Sequence, residues 1–203
     1  MRAYKKIVNF MANPEKVFYF FLNALRRRQI KRVEVNGKIF YKYQGELYPE
    51  YLNKSNAMSF IIDRAKDFCK GKGIDVGAGG YPFPGAVPIE EEENQNAYRL
   101  DNFKDGSLDY VFSSHCLEHL DRWQDALRLW IEKLKTGGIL FLYMPHKSMT
   151  LWRPNGPWVS DNHKWSPTYE VINKFLAGNG MKILEYNPAR DAYWSFHIAA
   201  KKN

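Results

Sequence analysis

Lys72-Gly73-Ile74-Asp75-Val76-Gly77-Ala78-Gly79-Gly80 is a short apolar segment that carries one acid and runs into a glycine-rich turn. Glycine accepts positive φ and lets the backbone come close to a ligand. A turn of this kind at the carboxyl end of a parallel strand therefore predicts the floor of a nucleotide pocket. The segments downstream add to this. Asn102-Phe103-Lys104-Asp105-Gly106-Ser107 reads as a turn, and Leu108-Asp109-Tyr110-Val111-Phe112-Ser113-Ser114-His115 as the buried strand after it. Leu117-Glu118-His119-Leu120 opens a predicted helix. Lys135-Thr136-Gly137-Gly138 ends that helix ahead of the apolar strand Ile139-Leu140-Phe141-Leu142-Tyr143-Met144-Pro145.

In this order the three motifs resemble the class I S-adenosylmethionine-dependent methyltransferases, whose first-strand motif is D-x-G-x-G and whose fourth-strand signature is roughly D-G-S-F-D-x-V-x-S-x-x-x-L-E-H. The resemblance spans about residues 57–200. It implies S-adenosylmethionine as cofactor, with Asp75, Gly77, Gly79 and Gly80 under its methionine moiety and Asp75 held near the amino group by charge. The acid that accepts both ribose hydroxyls falls on Glu90, with Glu91 its rival. Asn96 and Ala97 fall at the adenine edge, Asn96 standing where an Asp is more usual. Ser113 and His115 fall at the carboxyl edge of the fourth strand. One departure from the family pattern is plain: only 15 positions separate Asp75 from Glu90, and Tyr81-Pro82-Phe83-Pro84-Gly85 cannot be helical, so the first crossover shortens to a loop.

Methyl transfer is an in-line displacement, so the enzyme chiefly aligns the nucleophile and, for a hydroxyl, removes its proton. His115 and His119 are the candidate bases, since imidazole titrates near neutrality. His115, Glu118 and His119 also follow an i, i+3, i+4 pattern that would place three ligand types on one helical face, with His163 a fourth. That set resembles the divalent-metal site of small-RNA 3′-terminal 2′-O-methyltransferases, E-x-x-E-H with a later D-H-K-F, except that His115 replaces an acid and Asn162 an Asp. Residues 145–165, with His146, Trp152, Arg153, Trp158 and Trp165, read as a long functional loop on the acceptor side.

The charge is uneven. Residues 1–72 hold 16 Lys and Arg against 6 Asp and Glu, whereas residues 73–203 hold 14 against 16. A basic first third on a near-neutral core points to an anionic partner: a phosphorylated substrate, a nucleic acid or a membrane surface. Cys69 and Cys116 are too few and too far apart for a disulfide framework, which fits reducing cytoplasm. There is no apolar run of about 18 residues and no leader pattern at the start, which argues against a transmembrane segment and against secretion.

Residues 1–56 read as a basic helix-hairpin appendage. Asn13 caps a helix from Pro14 to Arg28 whose apolar face includes Val17, Phe18, Phe20, Phe21, Leu22, Ala24 and Leu25, and Asn36-Gly37 turns a hairpin. Ser55 caps a helix to Cys69. Residues 57–203 read as the cofactor-binding domain, an α/β, doubly wound, mostly parallel seven-stranded sheet with an antiparallel last strand. Strands are expected near 73–76, 86–89, 97–100, 108–113, 138–144, 181–186 and 193–200, with helices near 117–135 and 167–178. The functional expectation is O-methylation of a sugar, glycan intermediate or other polar metabolite. Two readings stand beside it: a metal-assisted RNA ribose methyltransferase using the basic first third, and a binding module that keeps the fold without turnover.

Overall fold

The computed structural model describes residues 14–92, 95–159 and 162–203. The expected cap Asn13 lies outside them. The chain separates into two compact units. One holds the described residues up to Lys54 together with Thr150–Lys164, and the other holds Ser55–Met149 with Trp165–Asn203.

In the first unit α1 spans Pro14–Arg28, with proline in the first turn, where its missing N–H costs nothing, and three arginines in the last, where cations meet the free carbonyls. Strands β1 (Lys31–Val35), β2 (Lys38–Tyr43) and β3 (Glu46–Pro49) follow as an antiparallel meander. Asn36 and Gly37 have φ of 51° and 73°, the left-handed pair that a two-residue hairpin turn needs. Gln44 and Gly45 repeat this geometry at 49° and 87° and add β3, a strand the alternation around Asn36-Gly37 does not announce. Thr150–Lys164 packs on these elements rather than standing free. The Tyr48 hydroxyl lies 2.6 Å from Thr150 Oγ1, Arg27 Nε donates to the Pro157 carbonyl at 2.7 Å, and Arg26 donates to the Asn155 carbonyl. Tyr41 meets Trp158 edge-on at 5.3 Å.

The second unit begins with α2 (Met58–Phe68). Its N-cap position is Ala57, not the expected Ser55, and Asn56 Oδ1 accepts from the Met58 N–H at 3.0 Å just ahead of it. Next come β4 (Gly73–Val76), β5 (Val87–Ile89), β6 (Leu108–Ser114), α3 (Trp123–Lys133), β7 (Leu134–Pro145), α4 (Tyr169–Gly178), β8 (Met181–Tyr186) and β9 (Ser195–Lys202). They build one sheet in the order β5-β4-β6-β7-β9-β8, in which β5, β4, β6 and β7 are parallel and β9 runs antiparallel to both its neighbours. The last strand is thus inserted between β7 and β8. All four residues of β4 are buried, as a central parallel strand covered on both faces requires. Gly73 is obligatory there, because a Cβ would stand 2.3 Å from the Tyr110 ring.

Three expected elements differ. Residues 97–100 form no strand; Asn96 and Arg99 close a tight loop on each other, so the sheet has six strands among the described residues, not seven. Leu117–His119 is a single 3₁₀ turn rather than the start of a helix. Leu120 leaves it with extended backbone (φ −91°, ψ 118°), and α3 begins only at Trp123. Thr168 caps α4, its side chain accepting from the Val171 N–H, so the helix starts at Tyr169, two residues after the expected 167. The shortened first crossover is as expected. No helix links β4 to β5, and Phe83 fills the gap, 2 % exposed and stacked on Phe112 at 4.7 Å, with Phe141 continuing the stack.

Candidate functional site

The turn after β4 forms the first half of the site. Gly77 has a φ of 76°, and a Cβ on it would lie 2.5 Å from Cys116 Cβ, so two requirements fix glycine there. Its N–H donates to the Ile89 carbonyl at 2.9 Å, tying the loop to the end of β5. Gly79, with a φ of 57°, and Gly80 have nothing within 4 Å of where a Cβ would stand, so the loop presents bare backbone to open space. Asp75 is 1 % exposed. Its Oδ2 accepts the Phe83 N–H at 2.8 Å, while Oδ1 has no hydrogen-bond partner among the described residues. Burial, more than the nearby Glu90, pushes its pKa up to about 7, against the pull of the Phe83 N–H. A buried carboxylate oxygen without a donor is costly unless a cation completes it. The amino group of a bound S-adenosylmethionine is such a cation, and Asp75 with bare glycine backbone beside it fits that cofactor.

Asp75, Gly77–Tyr81, Ser114 and His115 line one cavity of about 170 Å³, with Asn56, Ala57 and Met58 on another side. Glu90 stands exposed directly after β5, close enough to raise the Asp75 pKa.

The second half sits at the carboxyl end of β6. His115 has a φ of 50°, an uncommon conformation for a residue with a side chain, and its N–H donates to the Tyr143 carbonyl at 2.8 Å. Its ring is held on three sides. Tyr143 and Tyr193 meet it edge-on at 5.3 and 5.5 Å, and Nε2 lies 2.9 Å from Ser195 Oγ. Since the Ser195 hydroxyl donates to the Tyr193 carbonyl, it accepts from His115, which places the imidazole proton on Nε2. Asp191 organises this turn, its Oδ1 accepting from the Tyr193 and Ser195 N–H groups and its Oδ2 from the Tyr143 hydroxyl at 2.6 Å. His115 Nδ1 lies 3.5 Å from Glu118 Oε1, and burial raises the Glu118 pKa to about 8. His119 is exposed in the 3₁₀ turn.

Ser113, Asn96 and Ala97 use their polar groups within the fold. Ser113 is 2 % exposed and donates to the Val76 carbonyl at 2.9 Å, binding β6 to β4; strand alternation turns Ser114, not Ser113, to the cavity. Asn96 spends its side chain on its own loop, Nδ2 donating to the Glu92 carbonyl and Oδ1 accepting from the Tyr98 N–H, and the Ala97 carbonyl accepts from Trp130 Nε1 at 2.8 Å. His115, Glu118 and His119 do not share an α-helical face, because His115 is left-handed and the turn after it is 3₁₀. His163 is buried in the first unit. Asn56, Ser114, Asp191 and Ser195 were not foreseen. Only Ser114 carries a sequence signal, its place next to Ser113 at the strand end.

Comparison with known proteins bears on these findings. Residues 74–142 match a family model described as a methyltransferase domain. No curated protein matches the chain. Among solved structures, an S-adenosylmethionine-dependent methyltransferase of Thermotoga maritima, described as a possible histamine N-methyltransferase, superposes with a TM-score of 0.56 at 16 % identity, over 75 % of this chain and 92 % of that one. An S-adenosylmethionine-dependent methyltransferase of Mesorhizobium loti gives 0.56 at 14 % identity, over 73 % and 99 %. The Burkholderia thailandensis 1,6-didemethyltoxoflavin-N1-methyltransferase, solved with its substrate and S-adenosylhomocysteine, gives 0.54 at 12 % identity, over 86 % and 99 %. At such identities the likeness concerns the fold.

Proposed function

We propose that this chain is a class I S-adenosylmethionine-dependent methyltransferase and that it methylates an oxygen of a sugar, glycan intermediate or similar polar metabolite. The observation that carries the reading is the shared cavity: His115 and Ser114 line the same space as Asp75 and the bare backbone of Gly77–Gly80. Asp75 and that loop hold the methionine end of the cofactor, and Glu90 holds its ribose. Asn96 and Ala97 shape the adenine side through their backbone, since their polar groups close the loop. Ser113 supports the floor from behind. When bound, the cofactor supplies an electrophilic methyl group on a sulfonium.

The protein's share of the chemistry is alignment and proton removal. Nε2 of His115 keeps its hydrogen for Ser195, so Nδ1 is the atom that takes the acceptor's proton. The Glu118 side chain, 3.5 Å from Nδ1, faces the imidazolium so formed. His119, one turn on and exposed, contacts the incoming acceptor. A second cavity of about 260 Å³ past the end of β7 supports a polar ring as acceptor. Lys147 and Glu170 line it beside Phe196 and the stacked pair Tyr169 and Tyr186, which combines apolar faces with charged hydrogen-bonding groups.

The test is transfer of labelled methyl from S-adenosylmethionine to fractionated cell extract. Label in the saccharide or small-metabolite fraction, resistant to ribonuclease and to chelator, is the expected result. Label confined to RNA and abolished by chelator would replace this reading with the metal-assisted one.

A further inference from the structure

Three of the four most exposed large apolar side chains among the described residues lie on α1: Phe18, Phe21 and Leu25 are 63 %, 61 % and 56 % exposed. Their spacing of three and four residues stacks them along one face, and Arg28, three residues further, extends that face into the cationic last turn. The meander in the same unit shows the same combination. Register sets Lys31 opposite Lys42 and Val35 opposite Lys38, and Leu47 stands across from Lys42. Alternation along the strands therefore collects all three lysines on one side of the sheet, together with exposed Val35 and Leu47. That side carries no carboxylate. Glu34 and Glu46 lie on the other side, with buried Tyr43 and Tyr48.

We infer that the first unit docks on an anionic phospholipid surface. α1 lies in the interface with Phe18, Phe21 and Leu25 among the upper acyl chains, while Arg28, Lys31, Lys38 and Lys42 meet headgroup phosphates. The charge pattern selects this occupant. Lysines directly opposed on neighbouring strands repel each other, and a sheet of diffuse negative charge relieves them all at once. RNA would satisfy the cations and leave the apolar stripe in water, because Leu25 has no ring face on which a base can stack. No helix among the described residues is long and apolar enough to cross a membrane, so α1 rests on the surface. The inference concerns a face of the first unit and does not depend on the acceptor proposed above.

The experiment is co-sedimentation of the full chain with vesicles of phosphatidylcholine alone and of phosphatidylcholine with about 30 % phosphatidylglycerol. Binding is expected to be at least about tenfold stronger on the anionic vesicles and to fall as salt rises. The double variant Phe18→Ser/Phe21→Ser is expected to lose about tenfold or more of it, and Arg28→Gln/Lys42→Gln to lose its salt dependence in part. Calorimetric binding of S-adenosylmethionine, unchanged in both variants, confirms that they fold. Equal binding to the two vesicle types, or full anionic-vesicle binding by a folded Phe18→Ser/Phe21→Ser protein, overturns the inference. So does tight RNA binding by the full chain without vesicle binding.

Discussion

The loop after β4 and the turn after β6 stand at the carboxyl ends of adjacent strands and line one cavity, yet they are built in opposite ways. The first is a backbone device: glycine torsions, exposed peptide groups and one buried acid eight residues from the N–H that holds it. The second is a side-chain device, in which the His115 ring is fixed by a serine 80 residues away on the antiparallel strand. A backbone device positions a cofactor wherever the local sequence permits it. A side-chain device exists only once distant strands have come together. The first half should therefore govern cofactor affinity and the second turnover, and this division can be attacked from either side.

His115→Ala should give the largest effect, a loss of about 10²–10⁴ in kcat with the dissociation constant for S-adenosylmethionine unchanged. A comparable loss of cofactor affinity in calorimetry would break the division. Gly77→Ala strikes the other half. The strained φ and the contact with Cys116 should cost about 2–4 kcal/mol of stability and weaken cofactor binding about 100-fold, measured by denaturant unfolding and calorimetry.

Asp75→Asn should weaken binding about tenfold or more at pH 8, with a characteristic pH signature. The Asp75 pKa is raised to about 7, so the wild-type carboxyl is ionised above that value and protonated below it. Only the ionised form pairs with the cofactor's ammonium. Wild-type affinity should therefore fall as pH drops from 8 to 6, by about tenfold per unit below the pKa, while the Asn variant stays flat. A flat wild-type profile would show that Asp75 does not hold a cation.

Ser195→Ala should lower kcat about tenfold by freeing the His115 tautomer, with conservative Ser195→Thr restoring part of it and shifting the pH–rate profile toward the wild-type form. The smallest effect belongs to Ser113→Ala, a loss of about 1 kcal/mol in unfolding free energy with cofactor affinity intact, since its hydroxyl serves the Val76 carbonyl. A marked fall in affinity would return Ser113 to the cofactor shell.

Legibility in the sequence followed the same divide. The strand β4, the glycine turn after it and the short strand β5 were readable because they are contiguous, and the proline-flanked Phe83 ruled out a crossover helix. The Asn36-Gly37 hairpin was readable for the same local reason. The helix expected at Leu117 was not. Its apolar periodicity is real, but burial of Leu117 and Glu118 pins the chain into a 3₁₀ turn before α3 can start. The strand expected at 97–100 failed likewise, because Asn96 folds its side chain back on its own loop and Trp130 takes the Ala97 carbonyl.

The sequence by itself determined the class of fold, the glycine turn after β4 and the basic character of the first third, all set by torsional preference, periodicity and charge within a few consecutive residues. Only the tertiary structure decided that Thr150–Lys164 packs with the N-terminal elements, that β9 inserts between β7 and β8, and that Ser195 and Asp191 reach His115. These depend on contacts between residues far apart in the chain. Local propensity does not encode them, and the burial of one surface against another does.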